Sequence, residues 1–293
     1  MSYFFRPADS SYLGKTTTDL KAFRQKGKPT TDELYACSPL DSPDFKDERT
    51  IDVLLKCIDK SKLDVQLQKI QQSTESTEAP VFITIACGSF GPIHKSHIQM
   101  QKAAILRLHQ EGWNVAMGYF LPMNPVYTAK KLEKLLKHGD NMPTYLDKKH
   151  IDGSLKATFA DEPQLDACLI DLYRVSYSEW YVGAQELMNM LRYMYPKTNF
   201  KFAIVGGEDL IRSNGQLHKG IKVVDFADMI MMMPRGMDEE KRKKFPIADD
   251  VKILEESDKD RSSTNVRKYL KEKNTAELEK HLHPNTIKYL LSI

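Results

Sequence analysis

The stretch Val81-Phe82-Ile83-Thr84-Ile85-Ala86-Cys87-Gly88-Ser89-Phe90-Gly91-Pro92-Ile93-His94-Lys95-Ser96-His97 decides how the rest of the chain is read. Its first seven residues are apolar and rich in β-branched side chains, a run of strand length. The run stops at Gly88, and residues 95–110 continue with the spacing of an amphipathic helix. A buried strand that turns sharply into a helix is the opening unit of an α/β sheet. Outward from it, NVAMGYFL (114–121), CLIDLYRV (168–175), FKFAIVG (200–206), MIMMM (229–233) and VKIL (251–254) have strand character. Helical segments are expected between them at 143–158, 180–194 and 207–213. Alternation of this kind predicts a parallel sheet covered on both faces, a doubly wound α/β fold. The methionines of 229–233 suit a buried core strand, because the thioether chain fills irregular gaps. From Ser263 to Leu291 the chain reads as two or three short helices, a C-terminal helical part.

Upstream, residues 1 to about 47 are rich in Ser, Thr, Pro, Lys and Asp and read as an irregular, partly disordered arm. Ile51, Leu54, Leu55 and Ile58 fall at helical spacing behind Thr50, which predicts a helix near 50–60. The polar run 73–78 reads as a linker closed by Pro80. The expected division is therefore an N-terminal extension, 1–78, and a catalytic domain, 79–293.

Composition narrows the class. With 41% hydrophobic and 28% charged residues the chain is an ordinary globular protein. A formal net charge of +3 is too weak for a nucleic-acid-binding face, so no DNA or RNA partner is expected. No run reaches the roughly 18 apolar residues that would span a bilayer, so no membrane role is expected. The opening residues MSYFFRPADSSYLGK lack the apolar core of a secretory leader. Cys37, Cys57, Cys87 and Cys168 have neither CxxC pairing nor histidine neighbours at ligand spacing, so no protein-held metal is expected. Together these point to a reducing intracellular compartment, cytoplasmic or nuclear. Lys241-Arg242-Lys243-Lys244 reads as a nuclear address or as a solvated loop before Pro246, the loop being the plainer reading.

Two segments carry chemistry. In Gly88-Ser89-Phe90-Gly91-Pro92-Ile93-His94-Lys95-Ser96-His97, the glycines let backbone amides approach a ligand closely. The helix that follows offers unpaired N–H groups and a positive dipole end, which suits phosphate. His94 and His97, three residues apart, share a face of its first turn. The competing reading is a plain Gly-rich turn with two surface histidines, since the segment matches neither GxGxxG nor GxxxxGK[ST]. In Ser262-Ser263-Thr264-Asn265-Val266-Arg267, a hydroxyl caps a helix and Arg267 follows one turn later. Hydroxyls, free amides and a guanidinium can hold a polyphosphate. Taken alone, that segment is also an ordinary capped helix.

Together, Gly-x-Phe-x-Pro-x-His-x-x-His and Ser-Ser-Thr-x-x-Arg resemble the nicotinamide/nicotinate mononucleotide adenylyltransferases, members of the Rossmann-like nucleotidyltransferase superfamily. The resemblance spans residues 81–291. Gly206-Gly207-Glu208-Asp209 is similar to the family's Gly-Ala-Asp turn, and His283-Pro284-Asn285 with TIKYLL to its final helix. The resemblance implies an enzyme of NAD biosynthesis that transfers AMP from ATP to NMN or NaMN, giving NAD or deamido-NAD and pyrophosphate. It assigns Gly88, Ser89 and Phe90 to the nucleotide site and His94 and His97 to the ATP phosphates. Gly207 and Asp209 would hold a ribose, and Ser263, Thr264 and Arg267 the β- and γ-phosphates. Arg235 would be a basic residue on the same rim. His97, His94 and Arg267 would be the catalytic set. Mg²⁺ would be the cofactor, carried on the ATP phosphates. Homo-oligomers are common in the family and fit this reading.

The middle of the chain departs from the family pattern. Gly91 replaces a frequent Asn or Asp. Asn124-Pro125-Val126-Tyr127-Thr128-Ala129-Lys130 lacks the family's Asp, so either Lys130 or Lys131 supplies the phosphate-binding charge. Either Tyr177 or Trp180 takes the place of the aromatic that stacks on the pyridine ring. Trp180 also fits the hydrophobic face of its own helix.

In the implied reaction the mononucleotide phosphate attacks the α-phosphorus of ATP in line. A phosphate monoester with a second pKa of about 6 is mostly dianionic at neutral pH, so no general base is required. Cytidylyltransferases and pantetheine-phosphate adenylyltransferases share the histidine motif, but the Ser-Ser-Thr-x-x-Arg segment favours the pyridine-nucleotide group. An aminoacyl-tRNA synthetase would also need a KMSKS-like run, which the sequence lacks. An inactive nucleotide-binding interaction protein is the reading from outside the enzymes.

Overall fold

A computed structural model describes residues 57–73, 79–123, 148–169, 180–214, 227–236, 238–244, 247, 251–255 and 263–293. Among these residues six strands form one sheet: β1 (Val81–Gly88), β2 (Asn114–Pro122), β3 (Leu165–Ala167), β4 (Phe200–Gly207), β5 (Met229–Met233) and β6 (Val251–Ile253). The described helices are α1 (Lys60–Ser73), α2 (Lys95–Gln110), α3 (Lys148–Phe159), α4 (Trp180–Met194), α5 (Glu208–Asn214), α6 (Glu239–Lys244), α7 (Ser263–Lys271), α8 (Thr275–His281) and α9 (Pro284–Leu291).

Every strand pair is parallel, and the order is β3-β2-β1-β4-β5-β6. This is the doubly wound α/β fold expected from the sequence, with strand order reversing between β1 and β4. The chain leaves β1 in one direction across the sheet and returns through β4 in the other. In folds of this kind ligands bind at the carboxyl ends of the two strands that flank such a reversal.

Side chains alternate across β1. Ile83, Ile85 and Cys87 face one core, with Tyr119, Phe202 and Leu187; Phe82 and Ala86 face the other, with Leu108, Phe120 and Phe159. Both faces are therefore dry, which explains the near-continuous apolar runs of the central strands. Gln101, buried on α2, reaches the sheet and donates to the carbonyls of Thr84 and Tyr119 at 3.3 and 2.9 Å. Burial pushes the Cys87 thiol far above its ordinary range, so this cysteine is packing and not a nucleophile.

Three local expectations are corrected. The strand foreseen at 168–175 lies earlier, at Leu165–Ala167, opposite Gly118–Phe120. Cys168 extends the bonding by one residue through its N–H to the Phe120 carbonyl, and 170–175 lie outside the described residues. The basic run 241–244 belongs to a helix, α6, and not to a loop. The helix foreseen near 50–60 falls mostly on undescribed residues. The described helix starts at Lys60, because the Asp59 carboxylate accepts from the N–H groups of Ser61 and Lys62 and caps it.

That helix, placed in the extension by the sequence, packs on the sheet. Leu63 and Leu67 are buried in the same core as Ile83 and Ile85, with Cys57 and Ile58 beside them. Lys62 donates to the Phe159 carbonyl at 2.6 Å, and Tyr195 donates to Asp64 at 2.6 Å. The Asp59 N–H donates to Asp166 at 2.8 Å, and burial pushes the Asp166 carboxyl above its ordinary range.

The C-terminal part is three helices, α7 to α9, around Val266, Leu270, Leu278, Leu282 and Leu290. Thr286 of α9 shares a buried 2.6 Å hydrogen bond with Thr158 of α3. Tyr289 lies over Gly153, where an added Cβ would meet its hydroxyl at 1.9 Å. Among the described residues, no helix is long and apolar enough to cross a membrane.

Candidate active site

The turn after β1 is shaped around Phe90. Its backbone sits in the left-handed region at φ 42, uncommon for a residue with a side chain. Its ring is buried, edge-on to His97 and Phe120 at centroid separations of 5.1 and 5.4 Å. That ring also explains Gly88, where a Cβ would lie 2.9 Å from Phe90 Cε1. Phe90 therefore gives its side chain to the core. Ser89, half-buried, completes the turn, and the Gly91–Pro92 peptide is cis.

His94 is the N-cap of α2 and is buried. The His94 and His97 rings stack, with centroids 3.7 Å apart and planes 28° apart, as expected of residues one turn apart. His97 Nδ1 accepts the backbone N–H of His94 at 3.3 Å. The two imidazoles thus form one unit at the start of a 16-residue helix whose first turn holds no acidic residue.

The second motif meets the first. Arg267, only 1% exposed, donates from Nη1 to the Gly91 carbonyl at 2.9 Å and from Nη2 to Thr264 Oγ1 at 3.2 Å. Ser263 Oγ donates to the Pro92 carbonyl at 3.3 Å. Lys95 Nζ donates to the Glu279 carbonyl at 2.6 Å, so α2 also holds α8. The family comparison had set Arg267 against phosphate, whereas two of its guanidinium nitrogens are committed to the protein. One consequence is a fixed turn: the start of α7 and the turn before α2 are bonded into one wall.

A second group lies at the ends of β4 and β5. Gly207 closes β4, and an added Cβ would meet Arg235 Nε at 2.8 Å and Asp209 Oδ1 at 2.9 Å. Arg235 and Asp209 stand 4.0 Å apart, with 33% and 70% of their side chains exposed. Gly207, Asp209 and Arg235 are thus adjacent, at the end of β4, the start of α5 and just past β5. The carboxylate that sequence reading missed is Glu208, which is fully buried. It accepts from the Arg235 N–H at 3.0 Å and from Arg242 at 2.8 and 3.2 Å. Its only signal was its place between Gly207 and Asp209; Arg242 was hidden inside a run of basic residues.

Lys130, Lys131 and Tyr177 lie outside the described residues, and Trp180 is described only as the first residue of α4. Among the described residues no three His, Cys, Asp or Glu side chains gather in a way that could hold a metal ion. The donors of the Gly88–His97 turn and of α7 are imidazoles, hydroxyls and a guanidinium, a set that fits phosphate oxygens and a cation arriving already bound to them.

No protein-family model and no curated protein matches the chain. Among solved structures it is similar to Plasmodium falciparum nicotinic acid mononucleotide adenylyltransferase complexed with NaAD, with 21% identity and a TM-score of 0.42, covering 72% of this chain and 95% of that one. It is also similar to a Vibrio parahaemolyticus protein described as a nicotinate-nucleotide adenylyltransferase, with 16% identity and a TM-score of 0.35, covering 72% of this chain and 92% of that one.

Proposed function

We propose that this chain is an adenylyltransferase that joins ATP to a pyridine mononucleotide, NMN or NaMN, releasing pyrophosphate and giving NAD or deamido-NAD. One observation carries the reading. The two phosphate-type motifs, far apart in sequence, meet through the bonds of Arg267 and Ser263 to the Gly91 and Pro92 carbonyls. They do so at the switch point of a doubly wound sheet, where such folds bind nucleotides.

The chain's own groups bind and orient two anions and answer the charge that builds as one displaces the other. The α2 terminus and His97 face the phosphates of ATP. The Thr264 hydroxyl and the first amides of α7 hold the leaving pyrophosphate, while Ser263, bonded to the Pro92 carbonyl, and buried Arg267 keep that wall in place. Gly207, Asp209 and Arg235 take the ribose side. Lys130 or Lys131 adds phosphate-binding charge, and Tyr177 or Trp180 stacks on the pyridine. Mg²⁺, brought in on the nucleotide, would neutralise phosphate charge. No side chain is asked to remove a proton, since the attacking phosphate is already ionised at neutral pH.

The test is direct. Protein, Mg-ATP and NMN or NaMN are mixed, with pyrophosphate and NAD or deamido-NAD measured as products. Matching appearance of both products is expected. Absence of turnover with either mononucleotide rejects the reading, and turnover only with CTP or phosphopantetheine moves the chain to another branch of nucleotidyltransferases.

A further inference from the structure

A fully buried carboxylate is costly unless its oxygens are matched by donors. At Glu208 both oxygens are matched, and by residues from one direction of the chain. Arg242 Nε donates to Oε1 at 2.8 Å and Arg242 Nη2 to Oε2 at 3.2 Å, a two-pronged pairing. Oε2 also receives the Arg235 backbone N–H at 3.0 Å. The Glu208 side chain is 1% exposed and that of Arg242 41%. Such a carboxylate has little capacity left for a ribose hydroxyl. Its bonds run instead into the 235–242 segment, one of them to the backbone of Arg235 itself.

What that segment carries is the Arg235 side chain, whose guanidinium lies so close over Gly207 that a Cβ there would sit 2.8 Å from Nε and 3.0 Å from Cζ. Gly236 follows at φ 65, a conformation that suits glycine, and Arg242 lies beyond it in α6. Arg235 is thus held at its backbone by Glu208, and Glu208 is held in turn by Arg242. We propose that Glu208 and Arg242 are positioning residues that fix Arg235 across Gly207 for contact with ATP at the ends of β4 and β5. This rests on the reading that ATP occupies that edge.

The experiment measures Mg-ATP binding by calorimetry, and KM for ATP and for the mononucleotide, in full-length protein. Four variants are compared with wild type: Arg242→Gln, Arg242→Lys, Arg235→Ala and Arg235→Ala with Arg242→Gln. Thermal melting serves as the folding control. Arg242→Gln is expected to raise the ATP Kd and KM roughly tenfold, the ratio for one charged hydrogen bond. The mononucleotide KM should stay within about twofold. Arg242→Lys, which keeps the charge without the fork, should fall between wild type and Arg242→Gln. In the Arg235→Ala background the Arg242→Gln change should have no further effect on ATP, because the group it positions is gone. An unchanged ATP KM in Arg242→Gln overturns the proposal, as does an effect that persists at full size without the Arg235 side chain. If Arg242→Gln fails to fold, Arg242→Lys with and without Arg235→Ala carries the same comparison. Wild-type protein that binds no Mg-ATP rejects the functional reading itself. Wild-type binding with an indifferent Arg242 variant rejects only the positioning role.

Discussion

Because His97 Nδ1 accepts the His94 backbone N–H, its ring proton sits on Nε2. In the proposed reaction the residue would thereby be prepared to donate to a phosphate oxygen and not to take a proton. Removing one preorganised donor of this kind typically costs ~10²–10³ in rate. His97→Ala is expected to lose at least that much kcat, with modest changes in either KM and an intact fold. His97→Asn keeps an N–H donor and should recover part of the loss. Steady-state kinetics across pH check this: rescue by imidazole or by higher pH would instead mark a general base, and near wild-type turnover in His97→Ala would remove the residue from the mechanism. The histidine pair was legible because residues three apart on a helix share a face. The partners of Arg267 were not, since a guanidinium beside a hydroxyl-rich helix start points equally to phosphate or to a distant carbonyl. Nothing local in the sequence announces the Gly91 oxygen, 176 positions away.

At the scale of elements, the central strands could be read from their apolar runs because both of their faces are buried. The edge was harder. β3 is three residues long and has Asp166 at its centre, while the following Cys168-Leu169-Ile170 run is more apolar and draws the eye past it. Helix α1 was hidden for a different reason: its mean character is polar, and only Leu63 and Leu67 are buried along it. Those two leucines make the helix part of the folding unit, which we place from residue 57 onward. Deletion of residues 1–56 is expected to leave melting temperature and turnover near those of the full chain. Deletion of 1–78 strips the sheet of α1, and Leu63→Ala alone should cost about 2–5 kcal/mol. Denaturant unfolding of the three proteins checks the order; equal stability of the two deletions would return α1 to the status of an appendage.

For the whole molecule, the strand order places the site where sequence neighbours are absent: β1 lies beside β4, with β2 and β3 on the far side of β1. The doubly wound class follows from alternating strands and helices, but the alternation does not reveal that α7 to α9 return to latch the β1 turn. Those helices close on themselves through Val266, Leu270, Leu278 and Leu282, and they hold the turn through Arg267, Ser263 and Lys95. A chain ending at residue 262 keeps the six described strands and loses the latch. It is expected to retain sheet circular dichroism while losing nucleotide turnover by more than ~10²-fold, as for removal of a catalytic wall. Turnover within an order of magnitude of the full chain would show that α7 is dispensable.

The bond between Arg267 and Gly91 also sets a timetable. During synthesis the β1 turn leaves the ribosome well before its latch, which lies 176 positions later. Until α7 emerges, the nascent chain can gather its strands but lacks the bonds that fix the β1 turn. The turn is fixed only once α7 has been made and reaches back to it. A ribosome that stops before α7 leaves behind a product that carries both histidines on a turn without its latch.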